Sequence, residues 1–154
     1  MNPIINLIVL NKRFLEQFSC LQYSTSGSSA IDLRACLIQK NVIIFPNQVI
    51  LIPTGIGIFI KNPLITAMIL PRSGLGHKYG IILGNSIGLI DSDYQGELMV
   101  SLWNRSDKKF FIHFGDRIAQ LVFVPIIKPV FNIVSNFKYK TDRNVNGFGS
   151  SGIK

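Results

Sequence analysis

Residues 41–60 read NVIIFPNQVILIPTGIGIFI, and this stretch decides the fold class. It contains three short runs rich in β-branched residues, which are Val42–Phe45, Val49–Ile52 and Gly55–Ile60. Pro46-Asn47 and Pro53-Thr54-Gly55 separate these runs, and residues of these types end strands and form turns. Short β-rich runs bounded by turn residues predict antiparallel strands rather than helices.

The same pattern continues on both sides of this stretch. The further β-rich runs are Ile4–Leu10, Ile31–Leu37, Ile65–Leu70, Glu97–Trp103, Lys109–His113 and Ile118–Ile126. Because these runs do not alternate with helical segments, a parallel sheet is disfavoured. The sequence predicts an all-β fold, a distorted jelly-roll β-barrel. One short helix is expected after Arg72, with Ser73 as its cap.

The composition of the chain changes near its end. Residues 137–154 are polar and glycine-rich, and they carry few strand signals. We therefore predict one barrel domain over residues 1–136 and a flexible C-terminal tail over residues 137–154.

Composition and charge limit the classes of function. With 154 residues, 47% of them apolar, the chain is long enough for one buried core. No apolar run approaches the roughly 20 residues of a membrane-spanning helix, and no secretory signal is visible, so a cytoplasmic protein is expected. Cys20 and Cys36 fit reduced, partly buried thiols better than a disulfide framework or a metal site. The net charge of +8 suits an anionic partner, but it does not choose between nucleic acid and a small anionic substrate.

The segment Pro71–Gly80 combines groups that suit a phosphate ligand. Arg72 offers a forked donor, Ser73 a hydroxyl group, and Gly74 an unobstructed amide at the start of a helical turn. Taken alone, the segment also fits a surface turn.

The segment Gly84–Gly96 has glycine at both ends and in the middle, which predicts a hairpin loop with unusual backbone angles. Asp91 follows Leu89 and Ile90, and a carboxylate held in a partly dry site is what a general base needs to activate water. Asp91 and Asp93 equally fit the common role of aspartate as a turn former, and the segment by itself does not decide.

The segment Gly115–Leu121 begins with a turn and leads into a strand. The Gln120 amide could reach a ligand there, whereas Asp116 and Arg117 are expected to form a structural ion pair.

The segment 143–152 lies within the predicted tail. Arg143 could meet a phosphate and Phe148 could stack on a base, although a disordered terminus would have the same composition.

Together with Ser26–Ala35, these four segments resemble the five ordered motifs of the trimeric dUTP pyrophosphatases (dUTPases). The resemblance extends from Leu21 to Gly152, and five motifs in the same order are much more specific than one. It implies a homotrimer of jelly-roll subunits with active sites at the subunit interfaces. It also implies hydrolysis of dUTP to dUMP and pyrophosphate with Mg²⁺, which limits uracil in DNA and supplies dUMP for thymidylate synthesis.

The resemblance also assigns roles to individual residues. Asp91 would activate the water that attacks the α-phosphorus, Tyr94 would stack under the deoxyribose, and Asp32 would lie near the metal and phosphates. The uracil would be bound by Asn85 and by the backbone of a hairpin that includes Leu89, Ile90 and Met99. The phosphates would be held by Arg72, Ser73, Gly74 and Gln120 of another subunit, with Arg143 and Phe148 of a third subunit closing over the γ-phosphate and base.

The implied Mg²⁺ needs no protein cage, because this ion is commonly held by substrate phosphates and water. No direct metal ligand is therefore predicted, and His77 and His113 are interpreted as structural or surface residues.

Four residues depart from the family's usual pattern. Ala30 replaces a glycine and predicts ordinary backbone angles at this position. Glu97 replaces a glutamine and adds a negative charge. Asn144 and Asn146 replace glycines of the tail, and asparagine tolerates left-handed angles better than most residues.

Two other functions remain to be distinguished. A dCTP deaminase shares the fold, but the hairpin around Asp91 and the segment 143–152 favour the pyrophosphatase. A non-catalytic nucleotide or nucleic-acid binding module is suggested only by the net charge, and it would bind DNA in a salt-sensitive manner.

Overall fold

The computed structural model describes residues 3–18 and 21–147. Within them the chain forms ten strands and two short helices. In chain order these are β1 Asn6–Val9, α1 Lys12–Gln17, β2 Ile31–Arg34, β3 Asn41–Ile44, β4 Val49–Phe59, β5 Ile65–Leu70, α2 Ser73–Tyr79, β6 Ile81–Leu83, β7 Gly88–Ile90, β8 Glu97–Asn104, β9 Phe110–His113 and β10 Arg117–Pro125.

Two four-stranded antiparallel sheets form the body of the molecule. One has the strand order β1-β4-β8-β6 and the other β2-β10-β5-β7, while β3 and β9 form a separate pair. Strand β8 shows why the sequence folds in this way, since Leu98, Val100 and Leu102 alternate with less buried residues and lie in the core. The predicted all-β jelly-roll fold is confirmed.

The helices differ from the prediction in two respects. The structure has two helices rather than one, because α1 precedes β2 with Asn11 as its cap and Phe14 buried. A helix of six residues with one buried side chain carries too little periodicity to be recognised in the sequence. The predicted role of Ser73 is also wrong, since Arg72 is the cap residue of α2, without a side-chain cap bond, and Ser73 is the first helical residue.

The predicted strands Val49–Ile52 and Gly55–Ile60 merge into a single strand, β4, which ends at Phe59. Its pairing with β8 shifts between Pro53 and Gly57, and Gly55 has a φ of +72° in this irregular region. The backbone N–H of Gly55 donates a 2.7 Å hydrogen bond to the Glu97 carboxylate. A side-chain oxygen of Glu97 therefore supports the irregularity in β4.

The backbone also accommodates the three residues that replace glycines of the family pattern. Ala30 and Asn146 have φ values outside the left-handed region, whereas Asn144 has a φ of +46° within it. Asn144 thus adopts the conformation that an asparagine tolerates better than most residues.

The segment from Ile126 to Gly147 adds no strand to either sheet. Nearly all of its side chains are exposed, including Val130 at 96% and Ile133 at 97%. Neither of the two helices in the described part of the chain is long and apolar enough to cross a membrane.

Candidate active site

The register of one sheet assembles the predicted phosphate-binding residues. Gln120 of β10 lies opposite Asp32 of β2 on one side and Leu70 of β5 on the other. Because Pro71 directly follows Leu70, the next residues of the chain enter the same region. A cavity of about 160 Å³ is lined by Asp32, Arg72, Ser73, Gly74 and Gln120. Three predicted segments, separated by up to 88 positions in the chain, therefore meet in one cavity.

A network of charged groups surrounds this cavity. Arg72 Nε lies 2.8 Å from Asp32 Oδ1, and Arg117 Nη1 lies 3.3 Å from Asp32 Oδ2. Arg72 Nη1 also donates to the backbone oxygen of Arg117 at 3.3 Å, and Gln120 Nε2 donates to the backbone oxygen of Pro71 at 2.9 Å. Two guanidinium groups share one carboxylate, so the cluster keeps a net positive charge that favours an anion.

Arg117 belongs to this network although it is not among the predicted phosphate-binding residues. The predicted ion pair between Asp116 and Arg117 is wrong, because Arg117 pairs with Asp32 instead. Asp116 accepts a 2.8 Å hydrogen bond from the backbone N–H of His113 and lies 3.5 Å from its Nδ1. Asp116 belongs to the turn before β10 and is held there by His113, whereas Arg117 is the first residue of the strand.

Asp91 lies at a different place, directly after strand β7. It lines a cavity of about 530 Å³ together with Thr66, Asp93 and two lysines, Lys61 and Lys128. Asp91 and the preceding Leu89 are both exposed in the single chain, Leu89 at 64%. The partly dry surroundings expected for this carboxylate are therefore not formed by one chain.

The two cavities lie at opposite ends of β5. Ile90 pairs with Ala67 near the start of this strand, so Asp91 follows at the level of Thr66, which lines the same cavity. Arg72 comes six residues after Thr66, beyond the other end of the strand. At about 3.3 Å per residue, this separates the two positions by roughly 20 Å. One chain does not bring Asp91 and the phosphate-binding cavity together.

The segment Gly84–Gly96 is not a simple hairpin loop. β6 and β7 follow each other across residues 84–87, yet they lie at the edges of different sheets, and β7 pairs with β5 rather than with β8. The unusual backbone angle belongs to Ser86, with a φ of +63°, and none of the glycines here has one. Asn85 is exposed in the turn between the two edge strands, while Met99 lies in β8 opposite Pro53.

Tyr94 lies in the link between β7 and β8. Its hydroxyl donates a 2.9 Å hydrogen bond to the backbone oxygen of Glu97, and its N–H donates to the backbone oxygen of Asp91 at 3.2 Å. The ring is thereby folded back onto the chain that connects Asp91 with β8.

Arg143 is exposed and donates from Nε to the backbone oxygen of Asn146 at 3.2 Å. It lines neither the Asp91 cavity nor the phosphate-binding cavity. Phe148 lies outside the described residues, so its predicted role stays a prediction.

Other candidate reactive groups are spread over the molecule. Among residues 3–18 and 21–147, no three His, Cys, Asp or Glu side chains are grouped so that they could hold a metal ion. His77 and His113 are exposed, and Cys20 lies outside the described residues. Burial raises the pKa of the Cys36 thiol, and the Glu97 carboxylate raises it further against the opposing effect of Arg13. Cys36 is therefore a protonated core thiol at neutral pH.

The chain is a jelly-roll protein with an arginine-lined cavity at one end of its second sheet. A sequence profile of the dUTPase family matches residues 16–152, and the chain belongs to this family. The deoxyuridine 5'-triphosphate nucleotidohydrolase of Buchnera aphidicola subsp. Baizongia pistaciae (strain Bp) is 59% identical over 150 residues, which cover 97% of this chain and 98% of the relative. The enzyme of the same name from Glaesserella parasuis serovar 5 (strain SH0165) is 59% identical over 148 residues, which cover 96% and 97% of the two chains.

Solved dUTPase structures share the fold. A mutant of the Staphylococcus bacteriophage 80alpha dUTPase with dUpNHpp has a TM-score of 0.84 at 22% identity and covers 99% of this chain and 100% of that chain. A mutant of the phage phi11 dUTPase of S. aureus, described with a structural Mg(II) ion, has a TM-score of 0.75 at 20% identity and covers 88% and 99%. At these identities the likeness concerns the fold alone.

Proposed function

We propose that this chain hydrolyses dUTP to dUMP and pyrophosphate, with Asp91 as the general base that activates water for attack on the α-phosphorus. The observation that carries the proposal is the meeting of Asp32, Arg72 and Gln120 in one positively charged cavity. Full-length relatives named deoxyuridine 5'-triphosphate nucleotidohydrolases support the choice of substrate. The dUMP formed would supply thymidylate synthesis, and removal of dUTP would limit uracil in DNA.

The phosphates would bind in the cavity lined by Arg72, Ser73, Gly74 and Gln120. Asp32 holds Nε of Arg72, and the backbone of Arg117 holds Nη1, which leaves Nη2 of the same guanidinium for a phosphate oxygen. Because the Arg72 guanidinium is already held in place, a charge-assisted bond to a phosphate would cost little further side-chain entropy. The space above Gly74 is open, since a Cβ there would meet nothing within 4 Å.

Magnesium fits this arrangement as an ion that arrives with the triphosphate. Both oxygens of Asp32 already face guanidinium groups, so Asp32 suits an outer position near the ion rather than direct coordination. When bound, Mg²⁺ would neutralise part of the charge on the phosphate oxygens.

The uracil would bind where β6 and β7 diverge. An edge strand has backbone N–H and C=O groups that no neighbouring strand uses, and these two edge strands are joined by the turn that carries Asn85. Backbone groups of the segment from Leu89 and Ile90 to Met99 would take part. A site that reads a base by such hydrogen bonds discriminates by roughly 10⁴-fold or more, because the wrong base leaves them unpaired.

The active site would be shared within a homotrimer. One chain separates Asp91 from Arg72 by roughly 20 Å, whereas the α-phosphorus of dUTP is directly linked to the other phosphates. A second subunit would supply the phosphate-binding cavity, and a third would supply Arg143 and Phe148. The many exposed apolar side chains between Ile127 and Val134 support burial against other copies. We further propose a cytoplasmic location.

The test of this proposal is pyrophosphate release from dUTP, dCTP, dTTP and UTP, each incubated with Mg²⁺. We expect rapid release from dUTP and at least about 10⁴-fold lower kcat/KM for dCTP. Ammonia release from dCTP would instead indicate a deaminase, and salt-sensitive DNA binding without pyrophosphate release would indicate a binding module.

A variant that ends at Asn136 tests the tail. We expect it to keep the thermal midpoint of the full chain, since residues 137–147 contribute nothing to the buried core. We expect kcat/KM for dUTP to fall at least tenfold, because each lost charge-assisted bond is worth about 1.5–3 kcal/mol. Arg143→Ala in the full chain should show part of this loss. An unfolded truncated protein would contradict the division at residue 136.

A further inference from the structure

Gly96 lies directly against the aromatic ring of Tyr94. A Cβ atom built on Gly96 would overlap the Tyr94 hydroxyl oxygen and would lie 2.7 Å from Cζ and 3.1 Å from Cε2 of the same ring. The φ of Gly96 is outside the left-handed region, so the backbone conformation does not require glycine here. A Cβ at this position would instead force the Tyr94 ring to move.

A second glycine, Gly57, lets strand β4 approach the backbone of Gly96 closely. Gly57 of β4 pairs with Glu97, and a Cβ on Gly57 would come within 2.9 Å of the backbone oxygen of Gly96 and 3.0 Å of Ile8 Cγ2. The two glycines let β4, the backbone at residue 96 and the Tyr94 ring stack closely in that order. We call Gly57 and Gly96 the glycine seat.

Hydrogen bonds fix the ring on the glycine seat. The Tyr94 hydroxyl donates to the backbone oxygen of Glu97 at 2.9 Å, and the carboxylate of Glu97 accepts a 2.7 Å bond from the N–H of Gly55. The ring is thus tied through Glu97 to the irregular part of β4. Tyr94 is on the surface, 42% exposed, so this arrangement holds an exposed ring that contributes nothing to the core.

We infer that Gly96 is a positioning residue that sets the preference for deoxyribose over ribose by holding the Tyr94 ring on the glycine seat. The inference rests on the proposed function, in which Tyr94 stacks under the deoxyribose. A ring held against its own backbone occupies one place, where it would contact C2′ of the deoxyribose and leave no room for a hydroxyl group. A methyl group on Gly96 lifts the ring, breaks its bond to Glu97 and removes that close contact.

The experiment compares kcat/KM for dUTP and UTP in the wild-type chain and in Gly96→Ala, Tyr94→Ala and the double variant, all with Mg²⁺. We expect the dUTP-to-UTP ratio to fall about tenfold or more in each single variant, since steric discrimination of this kind amounts to roughly 10–200-fold. In the Tyr94→Ala background, Gly96→Ala should change the ratio no further, because the two residues act as a unit. Gly76→Ala is the matched control, as its added Cβ would make only an ordinary 3.4 Å contact with Ile82 Cγ2.

Thermal unfolding gives a second readout that does not need catalysis. Gly96→Ala should lower the Tm, and Tyr94→Ala in the same chain should restore much of it because the overlapping ring is gone. A Tm deficit that persists in the double variant would overturn the inference, even if Gly96→Ala itself proves too unstable to assay.

The outcomes separate the inference from the proposed function. If Tyr94→Ala lowers the ratio and a folded Gly96→Ala does not, the role of Gly96 is wrong while the proposed site stands. If Tyr94→Ala leaves the ratio unchanged, the sugar-binding role of Tyr94 and the inference both fail. An absence of dUTP hydrolysis by the wild-type chain would overturn the proposed function itself.

Discussion

Asp91→Asn is expected to lower kcat for dUTP by about 10²- to 10⁴-fold, the usual contribution of a general base. The amide keeps the size and shape of the carboxylate but does not take the proton from the attacking water. Binding of a non-hydrolysable dUTP analogue should therefore change little. Steady-state pyrophosphate release measures the first effect, and calorimetric titration with the analogue measures the second.

The matched control is Asp107→Asn, which makes the same change of charge on an exposed turn between β8 and β9. It should retain the wild-type kcat, and both variants should unfold at the wild-type temperature. Turnover of Asp91→Asn within a fewfold of wild type would show that Asp91 is not the base. Loss of analogue binding would place Asp91 in substrate recognition instead.

Arg72→Gln is expected to lower kcat/KM for dUTP by about 10²- to 10³-fold, as for other donors that stabilise developing charge. The substitution removes a phosphate donor and also the closer partner of Asp32, which then has only Arg117 at 3.3 Å. Asp32 and Arg117 alone have no net positive charge, so the cluster would attract the triphosphate less. Arg72→Lys should recover only part of the activity, because lysine keeps the charge but not the planar fork.

Arg105→Gln is the control for Arg72→Gln, since Arg105 is exposed and lines neither of the two cavities. Kinetics at increasing ionic strength distinguish a local contact from general attraction by the net charge of +8. Equal losses in both arginine variants would mean that only the overall charge matters. A loss confined to Arg72→Gln supports a specific phosphate contact.

The strands could be predicted from the sequence more reliably than the helices. The predicted bounds of β5, Ile65–Leu70, match the observed ones, because Asn62-Pro63 precede the strand and Pro71 directly follows it. α1 was missed because six residues with one buried phenylalanine carry no helical period. β6 and β7 could not be predicted, because each has only three residues and the segment between them contains turn-forming residues.

For the candidate site, the sequence predicts the chemistry of individual residues but not their contacts. The chemistry of Arg72, Asp91 and Gln120 could be predicted from residue type and motif order, although their roles remain predictions. The contact between Arg117 and Asp32 could not, because the two residues are 85 positions apart and the nearer carboxylate was Asp116. The hydrogen bond from Gly55 to the Glu97 carboxylate could not be predicted either, because the two residues lie on different strands.

The sequence by itself determined that this chain forms short antiparallel strands and carries five ordered motifs, because strand periodicity, turn residues and motif spacing are local properties. Only the tertiary structure decided which of these motifs meet. The register of β2, β10 and β5 brings Asp32 and Gln120 beside the end of the strand that leads to Arg72, whereas β7 carries Asp91 to the other end. Register depends on pairing between distant segments, and a slip of one residue would turn each of these side chains to the opposite face.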